Sequence, residues 1–579
     1  RLPTINFLCT KLNSLWSPFY FESISCELKT KDRRISRPPS AHYSKLGEAV
    51  RTSTHPALQC ALFCGGTSCK YELSTQRSSA IQGLYSDWVT DDILAMARPS
   101  TASIAARNII QQFHSWGIRT VINLQTAGEH ASCGPPLTNS GFTYDPVIFM
   151  ANDIYYFNFA WKDYGEATLR GLLDMAKVLS FALQEGRVAI HCHAGLGRTG
   201  VLIACYLVYS LRIRANDAIR LVRKKRPTSI QTRGQILCVQ QFEHYILPQT
   251  IVFSSKEPIL LTKDAKSSEF TLKQFLYRQR VTLHGLDERA FRYLPKIVYK
   301  ICERLLKLCS CHNTAALDYR VTNKPFYTSF ICYKLRQQKP PDLTTPEDKI
   351  IDGPITSLPM IEWRDPIEED VEKNLEEVSR YTSSIGCIPA VQVYEAFILD
   401  HSSFPEEKQR YLKQFRNDIN QRREAINRID EEEDPGILTG LLFQWLEGLK
   451  QPVVSREDLS NIIIRSTNVD SCIMALHLEV IMLIEYLLRF VIRLRPITAQ
   501  KKVDILKRLL ASLTHQSAQI NGVYFPNNAS RLREGTSNHM INFMLRMVVE
   551  IQKDVVKPCR DDADVVAPSR KLRIIKAWK

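Results

Sequence analysis

The stretch His191-Cys192-His193-Ala194-Gly195-Leu196-Gly197-Arg198-Thr199-Gly200 gathers residue types that do chemistry on anions. It lies between two apolar runs, Val188 to Ile190 and Val201 to Val208, an order that predicts strand, glycine-bearing loop and helix N-terminus. The first turn of a helix leaves backbone N–H groups unpaired at the positive end of the dipole, so it receives anions. Cys192 stands at the base of that field, which favours thiolate, the nucleophilic form. Arg198 closes the loop with a planar fork that matches two phosphate oxygens. Gly195 and Gly197 let the backbone curl with its amides inward. The set suits attack of a thiolate on a phosphate ester, with His193, Ala194, Gly195, Leu196, Gly197 and Arg198 around the phosphate. Thr199 is placed to donate its hydroxyl to the Cys192 sulfur. The plainer alternative is a buried structural cysteine in a glycine-bearing loop.

The Cys-x5-Arg-Thr spacing after a histidine resembles the active-site loop of the cysteine-dependent protein tyrosine phosphatase superfamily, and Ala194 to Gly200 is most similar to its dual-specificity branch. The resemblance implies a protein phosphatase acting on phosphotyrosine, phosphoserine and phosphothreonine through a phosphocysteine, with no metal or other cofactor. It aligns Asp163, in Trp161-Lys162-Asp163-Tyr164-Gly165, with the mobile loop that carries the general acid, although the family more often has proline where Lys162 stands. A general acid must be protonated beside an anionic site, where repulsion from substrate raises its pKa. Gln231 and Gln235 fall where the family positions the hydrolytic water, and His191 where it supports the loop from behind. His193 replaces a lysine of many relatives, either adding a pH-dependent charge at the pocket mouth or facing solvent. Glu129 is a candidate to orient Arg198, and Cys133 either forms a disulfide with Cys192 on oxidation or is a free buried cysteine. The resemblance further implies a cytoplasmic location with a link to the centrosome or to cilium formation and maintenance.

The 579 residues suggest two to four domains at ~100–200 residues each. A content of 44% hydrophobic and 23% charged residues is that of a globular protein rather than a disordered one. The net charge of +16 implies attraction to phosphorylated protein, acidic membrane or nucleic acid without separating them. Nucleic acid is not expected as the partner. Lysines inside the loop, which phosphoinositide phosphatases use for extra phosphates, are missing, so a lipid substrate and an RNA 5′-phosphate are alternatives only. The run Arg220, Arg223, Lys224, Lys225, Arg226 is either a solvated helix face or a rim that concentrates substrate. Sixteen scattered cysteines, one of them reactive, argue for a reducing compartment. Cys60, Cys64 and Cys69, and Cys302, Cys309 and Cys311 with His312, match no zinc spacing, so no metal is expected. The apolar stretch Ser471 to Arg495 contains Glu479, Glu485, Arg489 and Arg493 and reads as a buried helix, not a membrane span.

The elements that must position this loop follow from periodicity. Residues 1–81, rich in Ser, Arg and Pro, read as disordered. Residues 82–250 alternate helices and strands: a helix over Ile104–Trp116 capped by Ser103, strands at Ile118–Leu124 and Ile154–Phe159, a helix over Ala167–Gln184, and helices from Ala215 and Thr232. This is an α/β phosphatase domain, a mostly parallel sheet flanked by helices, with Cys192 at the carboxyl end of a strand. Residues 251–365 read as a mixed linker region, 366–556 as a mainly α-helical domain and 557–579 as a basic tail. The helical domain shows no catalytic constellation. It is expected to hold a protein partner, and a scaffold acting through it is the non-enzyme alternative.

Overall fold

The computed structural model describes residues 38–71, 79–163, 165, 167–254, 270–311, 387–465, 469–527 and 529–556. Five short strands, β1 (Ser86–Trp88), β2 (Ile93–Met96), β3 (Ile118–Asn123), β4 (Tyr155–Asn158) and β5 (Arg187–His191), pair in the order β1-β2-β5-β3-β4. β1 is antiparallel to β2, and the other pairings are parallel. Val188, Ala189 and Ile190 of β5 are fully buried. An unbroken apolar run is what a central parallel strand covered on both faces requires. The chain leaves the carboxyl end of this middle strand at Cys192, as expected.

Seven helices matter for the site: α1 (Lys45–Ser53), α2 (Thr101–Ala106), α3 (Ile109–Ser115), α4 (Leu169–Glu185), α5 (Gly197–Leu211), α6 (Ala215–Lys225) and α7 (Arg233–Ile246). α5 is buried from Arg198 to Tyr209, and its sequence is correspondingly apolar all round. The single helix expected over 104–116 is two, because Asn108 turns left-handed at φ 49°, a conformation asparagine tolerates. The cap is Ser100 rather than Ser103, which instead closes a reciprocal capping box with it. β1 and β2, too short to show a period, were not anticipated.

Packing divides the chain into two compact units between Pro248 and Gln249. The disorder expected over 1–81 does not extend to residues 38–71. There α1 is capped by Ser44, Glu48 accepts a hydrogen bond from the Arg233 amide at 3.0 Å, and the His42 amide donates to the Gln231 carbonyl at 2.9 Å. The mixed region read over 251–365, with helix expected at 270–277 and 288–308, is largely helical in its described part. Residues 270–311 contain helices Leu272–Thr282 and Lys296–Leu308, whose Phe275, Leu276, Ile301 and Leu305 are buried in the core of the second unit. That core also takes in helices Pro435–Glu447, Leu478–Arg493, Ala499–Thr514 and Glu534–Val556, as an α-helical domain should. The Leu478–Arg493 helix carries its charges inward in pairs, Arg489 to Glu485 at 2.8 Å and Arg493 to Glu303 at 2.6 Å. No helix among the described residues is long and apolar enough to cross a membrane. The helix expected over 368–381, the connector at 337–346 and the tail from 557 lie outside the described residues.

Candidate active site

The loop between β5 and α5 is shaped by what grips its carbonyls. The Cys192 carbonyl accepts from His191 Nδ1 at 3.0 Å, that of His193 from the Arg98 amide at 2.9 Å, and that of Ala194 from Arg226 Nη2 at 3.0 Å. Gly195 O accepts from Arg226 Nε at 2.6 Å, and Leu196 O from the Ile230 amide at 3.2 Å. A trans peptide points its N–H opposite to its C=O, so a row of carbonyls held on one side turns the following amides to the other. Those amides, from His193 to Gly197, run into the first turn of α5, where Leu196 at the cap supplies no side-chain acceptor. The result is a nest of donors at a helix N-terminus, built for an anion. Gly195 has φ 66°, and a Cβ there would lie 2.0 Å from the Met96 carbonyl oxygen, so no other residue fits. A Cβ on Gly197 would meet the Gln235 amide nitrogen at 2.7 Å.

Arg226 is the brace that composition concealed. It belongs to the basic run read as solvated face or rim, yet it is fully buried, reaches two loop carbonyls and pairs with Asp87 at 2.6 Å. Arg223 likewise turns inward, onto the carbonyls of Ser229 and Ile230. Only Lys224 and Lys225 of the run are well exposed.

His191 supports the loop as expected. Its Nε2 lies 2.7 Å from the Tyr144 hydroxyl, and since Nδ1 donates to the Cys192 carbonyl, Nε2 accepts. Burial pushes the imidazole down to about 4, so it is neutral and its tautomer fixed. Gln235 sits against Gly197 and accepts from the Gln231 amide at 2.7 Å. Gln231 joins this group through its backbone. The Thr199 hydroxyl, expected on the Cys192 sulfur, is buried without a hydrogen-bond partner.

Arg198 is buried, and its guanidinium forms a two-pronged pair with Glu129, donates to the carbonyls of Leu124 and Trp161, and lies 3.3 Å from Asp163. Burial works against its charge, but Asp163 and Glu129 outweigh it and hold its pKa above the ordinary arginine value. Asp163 also meets His130 Nε2 at 3.1 Å. Burial raises the Asp163 carboxyl, yet Arg198 and His130 dominate and keep it well below the usual carboxylate range. In this arrangement Asp163 is therefore a carboxylate and not yet the protonated acid anticipated. Its loop does not need the missing proline for definition: Trp161 is buried, its indole donates to the Gly165 carbonyl at 3.0 Å, and the Gly165 amide returns to Lys162.

His193 departs from both expectations, being neither at the mouth of the site nor in solvent. It is buried and stacked on His130 with ring centroids 4.0 Å apart, among Cys64, Cys69 and Cys133. Cys133, considered as a partner for Cys192, packs instead with Cys60 and Cys69. Arg98, Arg226 and Tyr144 were missed. Each acts on the loop from a distant part of the chain, and no local pattern marks them.

A central parallel strand, a nested phosphate loop with a cysteine at its base and an arginine at its helix end define the class, and residues 105–244 match the family model for the dual specificity phosphatase catalytic domain. The first unit thus carries a domain of the dual-specificity branch of the cysteine-dependent protein tyrosine phosphatases. The chain is 53% identical over 282 residues to protein tyrosine phosphatase domain-containing protein 1 of Danio rerio, covering 48% of this chain and 39% of that protein. It is 53% identical over 274 residues to the protein of that name from Mus musculus, covering 47% and 36%. To dual specificity protein phosphatase CDC14C of Symphalangus syndactylus it is 34% identical over 133 residues, 23% of this chain and 24% of that one. The chain spans less than two fifths of the length of these relatives.

Proposed function

We infer that the chain is a protein phosphatase that hydrolyses phosphotyrosine, phosphoserine and phosphothreonine through a phosphocysteine. The observation that carries this is the run of carbonyls from Cys192 to Leu196 held outward by His191, Arg98, Arg226 and Ile230, which aims the intervening amides at one anion beside the cysteine. The Cys192 sulfur attacks phosphorus, the bond from phosphorus to the ester oxygen breaks, and that oxygen takes a proton from Asp163. Phosphate binding must first draw Arg198 away from Asp163, and the dianion then raises the carboxyl so that it carries the proton. Water aligned by Gln235, with Gln231 beside it, next attacks phosphorus. The P–S bond breaks, Asp163 takes back a proton, and inorganic phosphate leaves with Cys192 regenerated as thiolate. Glu129 and His191 position Arg198 and the loop. A phosphorylated protein is the substrate, the second unit is the surface for a protein partner, and the site of action is cytoplasmic with a centrosomal or ciliary association. The last point rests on the resemblance alone.

The test uses the full chain with a small aryl phosphate and a phosphopeptide panel, without added divalent cations. Wild type turns over, Cys192→Ser is inactive, and Asp163→Ala is slower by roughly 10²–10⁴-fold. Acid quench of wild type traps phosphate on Cys192. Turnover that survives Cys192→Ser would sink the reading. A folded wild-type chain that is inactive on the panel but cleaves a phosphoinositide or an RNA 5′-phosphate would move the substrate class.

A further inference from the structure

Three chain segments, 60–69, 130–133 and His193 of the phosphate loop itself, converge in a cluster of soft donors. Cys60, Cys69 and Cys133 are buried together, with Cys64 packed against them. One donor atom from each of Cys64, His130, Cys133 and His193 lies within 4.8 Å of the others. Cys133 Sγ is 4.0 Å from His130 Nδ1 and Cys64 Sγ is 4.0 Å from His193 Nδ1. Cys60 Sγ and Cys69 Sγ each lie 3.5 Å from one of the same imidazoles. With metal–sulfur bonds of about 2.3 Å and metal–nitrogen bonds of about 2.0 Å, a tetrahedral ion has S···N edges of about 3.5 Å, so the two 4.0 Å pairs need to close by about half an ångström to hold one.

We propose that Cys64, His130, Cys133 and His193 bind a structural zinc ion. Two thiolates and two imidazoles, with Cys133 and His193 buried and Cys64 and His130 half-buried, select tetrahedral zinc over the oxygen-seeking cations. The backbone is arranged for it. The Gly134 amide donates to the Gly66 carbonyl at 3.0 Å, joining the two cysteine segments. Arg98 donates to the carbonyls of Glu129, His130 and Cys133, fixing the loop that carries two of the ligands. His130 turns Nδ1 to the sulfurs and Nε2 to the Asp163 carboxylate, the outer support that metal-bound histidines use to fix their orientation. Binding releases the thiol protons and any proton on the two ligating nitrogens, as metal sites do. No metal was expected from the sequence because Cys60, Cys64 and Cys69 lack a knuckle spacing, and the other donors come from 60 to 130 residues further along. The ion ties the N-terminal segment to His193, the residue after Cys192, and through His130 to Asp163.

The experiment is metal analysis of the full chain purified under reducing conditions from zinc-supplemented cells. About one zinc per chain is expected, lost in Cys64→Ser and Cys133→Ser and retained in Cys238→Ser and Cys192→Ser. Because these variants can misfold, wild type is also exchanged with cobalt(II), and tetrahedral d–d bands with thiolate charge transfer are expected. Wild-type chain that is folded yet holds less than about a tenth of an equivalent, or that yields a disulfide among these cysteines and no metal, overturns the site. So does a full equivalent retained in both serine variants. The readout is metal content, so it stands or falls separately from turnover.

Discussion

Arg226 shows how much of a phosphate loop is made by residues that never meet phosphate. Its buried guanidinium holds two carbonyls and Asp87, and Arg226→Ala leaves all three without it. Leaving the buried loop carbonyls without their donor costs about 1–3 kcal/mol, which should appear as a lower denaturant midpoint. An unchanged midpoint would remove Arg226 from the scaffold. His191 gives a pH dependence of definite sign. Burial lowers its pKa from 6.5 to about 4 in the folded chain, so between those values the unfolded chain binds the extra proton. The stability from neutral His191 is therefore complete above pH 6.5 and is lost as pH falls towards 4, a loss on the order of 3 kcal/mol. Urea unfolding measured across that window should show the slope, and His191→Asn should flatten it.

At the scale of elements, the two units are held by different devices. In the first, hydrogen bonds from α1 and its preceding turn meet the start of α7, at Gln231 and Arg233. In the second, Glu303 of helix Lys296–Leu308 pairs with both terminal nitrogens of Arg493, at 2.6 and 3.0 Å, and accepts from Tyr486. Glu303→Ala removes both of these contacts from a buried guanidinium and should cost about 3–5 kcal/mol of the second unit's stability. It should leave aryl phosphate turnover within about twofold of wild type, since Glu303 and the phosphate loop belong to different compact units. A large fall in kcat with a normal melting profile would show that the helical unit acts on catalysis.

For the whole molecule, the division between Pro248 and Gln249 separates the phosphate loop from the helical core. An oxyanion that fills the loop stabilises only the folded form that binds it, by about 2.7 kcal/mol at one hundred times its Kd. Orthovanadate should thus raise the melting of the first unit, followed by hydrogen exchange of α5 and β5, and leave the helices around Trp445 unmoved. Equal protection of both units would contradict a site confined to the first. The net charge of +16 is spread across this chain without marking the site, and the densest basic run proved to be partly internal bracing.

The residues from Cys192 to Arg198 were legible because their chemistry is local: a cysteine, two glycines and an arginine within one strand–loop–helix passage cannot be far apart in space. The long apolar periods gave the helices of both units for the same reason, whereas the glutamine pair came only from the family resemblance. What the fold alone decided was remote partnership. Glu129 was suspected, but Arg98, Tyr144 and Arg226 reach the loop from chain positions that no window connects. The composition of residues 38–71 pointed to disorder because their partners, Gln231, Arg233, Cys133 and His193, lie far along the chain. His193 is buried against Cys64 and Cys69, whose sequence spacing had argued against a metal, and against Cys133 from a separate segment. Sequence fixes the short-range geometry through covalent reach, whereas burial, ion pairing and ligand sets depend on which distant segments the sheet order brings together.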